Sequence, residues 1–121
     1  MHTLRARIAA WSYPASLAVL LAAAGLALPA RAAEEMALTI ELKDHKFSPE
    51  KIKVPADTPI KLTVKNSDAS PEEFESHPLG VEKVIAGNAS ATIRLKPLAK
   101  GSYNFVGEYN EDTAKGTLIA E

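Results

Sequence analysis

From residue 37 onward, apolar and polar side chains alternate in short bursts. In Ala37-Leu38-Thr39-Ile40-Glu41-Leu42-Lys43, the side chains of Leu38, Ile40 and Leu42 fall on one side and those of Thr39, Glu41 and Lys43 on the other. The same two-residue period runs through Ile52-Lys53-Val54, Ile60-Lys61-Leu62-Thr63-Val64-Lys65 and Ala91-Thr92-Ile93-Arg94-Leu95-Lys96. Successive side chains of an extended chain point to opposite faces, so this pattern predicts strands with one buried face, paired antiparallel. Tyr103-Asn104-Phe105-Val106 and Gly116-Thr117-Leu118-Ile119-Ala120 read as the last two strands. Turn-formers fall between these bursts: Ser48-Pro49, Pro55-Ala56-Asp57-Thr58-Pro59, Asn66-Ser67-Asp68, Lys100-Gly101 and Lys115-Gly116. No stretch after residue 33 holds a helical period for three turns. A short helical turn fits at Pro71-Glu72-Glu73 or at Asn110–Ala114. About seven short strands predict an all-β fold, a small β-sandwich.

The first 32 residues follow a different pattern. Arg5 and Arg7 precede an uncharged run from Ser16 to Leu28, and Leu28-Pro29-Ala30-Arg31-Ala32 offers small residues at an A-x-A site. This three-part order predicts a cleaved secretory signal peptide over residues 1–32 and a mature domain over 33–121. The apolar run is shorter than a membrane span of roughly 20 residues. The mature product is therefore expected in the periplasm, with no membrane insertion after cleavage.

Charge sharpens the picture. The leader holds three of the 14 Lys and Arg and none of the 15 Asp and Glu. Residues 33–121 thus carry eleven basic against fifteen acidic side chains, a formal charge of −4. That excess argues against nucleic acid as a partner, since affinity for phosphate comes from Lys and Arg. Cysteine is absent, which excludes disulfides, thiolate zinc sites, a cysteine nucleophile and a blue-copper centre.

The acids are concentrated. Glu72, Glu73, Glu75 and Glu82 flank one connection, and Glu108, Glu111 and Asp112 fill the loop before the last strand. If both regions share one end of the sandwich, they form an oxygen-rich cation site, suited to hard ions such as Fe(III), Mn(II), Ca(II) or Mg(II). Otherwise they are a solvated surface. His45 and His77 could add nitrogen. Pro78 holds His77 extended, which predicts Glu75 and His77 on one face of a strand. Ser76, His77 and Asp112 could be written as a catalytic triad, but no nucleophile-elbow glycine pattern accompanies them, and no catalytic residue is assigned.

The string DHKFSPEKIKVPADTPIKLTVKN, with EEFES, PLAKGSYNFVGEYN and KGTLIA after it, resembles the cupredoxins. The likeness covers nearly all of residues 33–121 and implies a Greek-key β-sandwich. It also shows departures. The place of the ligand Cys falls at Val106 or Gly107, that of the following His at Asn110, and that of the first ligand His at Glu72 or Glu73. A type 1 copper site is thereby excluded. Within the family, EEFES…LGVEKVI followed by GEYNEDTAKG is similar to the cupredoxin-like proteins of bacterial periplasmic iron uptake. These work beside an iron permease and other periplasmic iron-uptake components. That resemblance implies a protein that binds iron, copper or both, and helps oxidise or hand over ferrous iron. It carries Glu75 and Glu82 across as metal ligands from the first region and Glu108 and Asp112 from the second, with His77 as a compensating donor. Two other classes remain: an autonomous copper-dependent ferroxidase and a metal-free sandwich used as an interaction module.

Overall fold

The computed structural model describes Gly25 and residues 34–121. The expectations for the leader, Gly25 aside, lie outside the described residues. Among these residues nine strands form in chain order: β1 Met36–Lys43, β2 Lys46–Ser48, β3 Lys51–Val54, β4 Ile60–Asn66, β5 Glu72–Ser76, β6 Val81–Ile85, β7 Ser90–Leu95, β8 Gly101–Gly107 and β9 Lys115–Ala120. A single 3-10 turn, Glu108–Asn110, follows β8. One sheet has the order β2-β1-β4-β7 and the other β3-β9-β8-β5-β6. No helix among the described residues is long and apolar enough to cross a membrane.

The strands expected from alternation are all present, within a residue or two at their ends. Three things differ from expectation. There are nine strands rather than about seven, because β2 and β6 occupy stretches that read as connections. Two pairings are parallel: β1 with β4, from Met36↔Ile60 to Leu42↔Asn66, and β3 with β9, from Lys51↔Thr117 to Val54↔Ala120. A two-residue period is identical for both directions of pairing, so alternation could not distinguish them. Finally, Glu72 and Glu73 begin a strand, and the helical turn lies just upstream of Asn110–Ala114.

The core lies between the sheets. Ile40, Leu42, Ile60, Leu62, Val64 and Leu95 face inward from the first sheet, and Ile52, Val54, Phe74, Ile85, Phe105, Leu118 and Ala120 from the second. Phe47 and Phe105 meet edge to face at 5.2 Å, and Phe74 packs on Phe105 at the same separation. Each such fully buried side chain contributes about 1.5–3 kcal/mol. Polar groups inside are satisfied. Asn66, 1% exposed, donates through Nδ2 to the carbonyls of Ser70, Ile85 and Ala86 and accepts through Oδ1 from the Asp68 N–H, at 2.9–3.3 Å. This amide ties the end of β4 to the end of β6.

The β1–β2 turn places both Asp44 and His45 at positive φ, 51° and 57°. A two-residue hairpin turn with that geometry matches the right-handed twist of its strands. The Asp68 carboxylate holds it, accepting from the backbone N–H of Asp44 at 2.7 Å and of His45 at 3.0 Å.

Candidate metal centre

Strand β5 carries the site on both of its faces. Glu72, Phe74 and Ser76 point into the sandwich, while Glu73 and Glu75 point outward and are half-buried. On one side β6 pairs antiparallel with β5, setting Glu82 opposite Glu75 and Val84 opposite Glu73. On the other side β8 sets Gly107 opposite Phe74 and Val106 opposite Glu75. Continuing that register by one residue brings Glu108, at the head of the 3-10 turn, alongside Glu73.

The outer face is therefore acidic. One carboxylate oxygen each from Glu73, Glu82 and Glu108 lie within 4.8 Å of one another. Among the described residues, none of the four ion pairs involves Glu73, Glu75, Glu82, Glu108, Glu111 or Asp112. Crowded like charges disfavour ionisation. A shared hydrogen bond with Glu82, then desolvation, then Glu108 push the Glu73 carboxyl up to about 7. Desolvation, followed by the charge of Glu108, raises Glu75. Desolvation, with Glu73 and Glu108 next, raises the Tyr109 phenol.

Glu82 and Glu108 thus stand together, and Glu75 borders them across β5 and β6. His77 lies one residue past the end of the strand rather than within it. β5 ends at Ser76, and the N–H of Gly80 closes a turn on the His77 carbonyl at 3.1 Å. The exposed His77 ring borders shallow hollows with Glu75 and Glu82 but belongs to no group of three convergent donors among the described residues. Asp112 is likewise outside the trio. It lines an open hollow of about 530 Å³ with His45, Glu108, Tyr109, Asn110, Glu111 and Thr113. The residue missing from the expected ligand set is Glu73. Its signal was the alternation Glu73-Phe74-Glu75, in which an inward Phe forces both neighbours outward.

The inner face resolves the alternatives left by the cupredoxin resemblance. Glu72, 2% exposed, rather than Glu73, points into the sandwich. A Cβ at Gly107 would lie 2.7 Å from Glu72 Cδ, 2.9 Å from its Oε2 and 2.8 Å from the Ala114 methyl, so only glycine leaves room for this carboxylate. Asn110 donates through Nδ2 to Glu72 Oε2 at 2.7 Å. Gly107 and Asn110 thus converge on the Glu72 carboxylate, at the three places where the cupredoxin resemblance sets the ligand residues. An oxygen of Glu72, already engaged by protein donors, replaces that set. These residues do not fit a type 1 copper ion.

The chain belongs to the cupredoxin-like domain family, whose sequence pattern it matches over residues 16–120. It is 45% identical over 80 residues to an uncharacterized protein of Rickettsia prowazekii (strain Madrid E), a match covering 66% of this chain and 64% of that protein's length. Among solved structures it is similar to the metal-binding domain of a Cu(I)-exporting P-type ATPase from Streptococcus pneumoniae D39, solved with Cu(I). The TM-score is 0.61 at 17% identity, over 73% of this chain and 96% of that one. It is also similar to auracyanin A, a blue copper protein of Chloroflexus aurantiacus. There the TM-score is 0.60 at 14% identity, over 73% and 100% of the two chains. At these identities the likeness is one of fold.

Proposed function

We propose that this protein is an exported cupredoxin-like cation carrier. It holds its cargo in the carboxylates of Glu73, Glu75, Glu82 and Glu108 and serves iron uptake, delivering iron to a permease system in the periplasm. The observation that carries the reading is the convergence of three carboxylates with no cationic partner among the described residues, from three separate segments, β5, β6 and the 3-10 turn, within 4.8 Å. Such crowding is unfavourable in the absence of a cation and is relieved by one. Hard anionic oxygens favour Fe(III) over Fe(II), because the more highly charged ion gains more from them. Each tenfold preference is worth about 1.4 kcal/mol and lowers the iron potential accordingly. Copper(II) competes only with nitrogen help, for which His77, bordering Glu75 and Glu82, is the candidate. The basic start, apolar run and A-x-A site of residues 1–32 support export.

Calorimetric titration of the protein with Mn(II), anaerobic Fe(II), Fe(III) citrate and Cu(II) tests this. Binding tighter than millimolar is expected, and should be lost in Glu73→Gln/Glu82→Gln/Glu108→Gln. No heat with any of the four ions ends the proposal in favour of a metal-free module. Oxygen uptake with Fe(II) above the buffer rate would convert the carrier into a ferroxidase.

A further inference from the structure

Among the described residues, Glu72 is the single acidic or basic side chain buried in the sandwich, and the outer cluster makes no use of it. A buried carboxylate is costly unless its oxygens are satisfied. Here Oε1 accepts from the backbone N–H of Glu73 at 3.0 Å and of Tyr109 at 2.8 Å, and Oε2 accepts from Asn110 Nδ2 at 2.7 Å. Two of these donors belong to the 3-10 turn, which has no side-chain cap of its own at Gly107. Glu72 therefore caps that turn from another strand. The turn's far end closes on itself, with the N–H of Ala114 donating to the Asn110 carbonyl and that of Gly107 to the Ala114 carbonyl, each at 2.8 Å.

Sequence adjacency links this network to the outer face. Glu72 points inward and Glu73, the next residue, outward. Tyr109 and Asn110 are gripped from within, and Glu108, immediately before them, joins the cluster. The backbone pairing of β5 with β8 covers only Phe74↔Gly107 and Glu75↔Val106, so beyond Gly107 other contacts must hold the turn against β5. We infer that Glu72 is a positioning residue: a buried lock at the inner face of β5 that draws the 3-10 turn onto the strand and presets the acidic cluster. The link to cation binding rests on the function proposed above; the lock itself does not.

Glu72→Met keeps the volume and removes the acceptors. Glu72→Gln keeps an acceptor for Tyr109, and with the Asn110 amide turned over it can pair there too. In the full chain, hydrogen exchange at the Tyr109 amide should speed up at least tenfold in Glu72→Met relative to the Phe105 amide in the core. Glu72→Gln should stay within about threefold of the parent. Mn(II) affinity, measured well below the unfolding transition, should fall at least tenfold in Glu72→Met and be largely retained in Glu72→Gln. Unchanged Tyr109 protection in Glu72→Met, or equal loss in both variants, overturns the lock. Should Glu72→Met not fold, Asn110→Ala removes one donor and must show the same local loosening. If the parent protein takes up no Mn(II), the proposed cargo fails, and the exchange comparison by itself decides the lock.

Discussion

The proton on Glu73 offers the sharpest check on the acidic cluster. Its carboxyl is pushed from 4.5 to about 7, first by the hydrogen bond shared with Glu82. Glu73 therefore takes up a proton on folding. Because the folded value is the raised one, its contribution to stability is fully present below pH 4.5 and is lost as pH rises through about 7. A cation bound by the ionised cluster must expel that proton. With a value near 7, the protein should release about 0.9 proton per cation at pH 6, about 0.5 at pH 7 and about 0.1 at pH 8. Apparent Mn(II) affinity should correspondingly rise close to tenfold per pH unit between pH 5 and 6.5 and level off above pH 7.5, to the order of magnitude set by one linked proton. Calorimetry in two buffers of different ionisation enthalpy reads the proton count directly. NMR of the Glu73 side-chain carboxyl reads its titration, which should move down toward 4.5 in Glu82→Gln as the hydrogen bond that raises it most is removed. A flat affinity from pH 5 to 8, or a Glu73 carboxyl that titrates with the ordinary glutamates, would refute the reasoning.

Three other outcomes follow from the packing. Gly107→Ala places a methyl 2.7 Å from Glu72 Cδ and 2.8 Å from the Ala114 methyl, against an ordinary carbon contact of about 3.5–4.0 Å. It should destabilise the fold by about 1–3 kcal/mol, read as a lower urea midpoint at unchanged m-value, and a loss under about 0.5 kcal/mol would contradict the tight fit. Asn66→Ala strips three buried or part-buried carbonyls of a donor and should cost at least about 2 kcal/mol in the same assay. Asp68→Ala releases two N–H groups of the β1–β2 turn and should cost about 1 kcal/mol, with faster amide exchange confined to Asp44 and His45.

Pattern alone was enough for β1, β3, β4 and β7. Each has one buried face, and the entropy and desolvation of burying a wrong-facing charge leave a two-residue signature in the chain. β6 was not legible in that way. It is an edge strand in which Glu82, Lys83 and Val84 are all exposed, so no buried face imposes alternation on it. Parallel pairing of β1 with β4 and β3 with β9 left no mark either, since the period of side-chain direction ignores strand polarity.

The site divides along the same line. Composition and the absence of cysteine were sufficient to exclude a thiolate centre and to show that acids gather near residues 72–82 and 108–112. Which of two neighbours faces inward, Glu72 or Glu73 and Val106 or Gly107, depended on the register of β5 against β8. A shift of one residue exchanges the two faces. That register also joined Glu73 to Glu108 across 35 positions of sequence, while Asp112 lines a hollow with His45 and Glu108 and His77 lies one residue past the end of β5. Ligand chemistry is a property of side chains and is written along the chain. Convergence is a property of distances between segments, and only pairing of the sheets sets those.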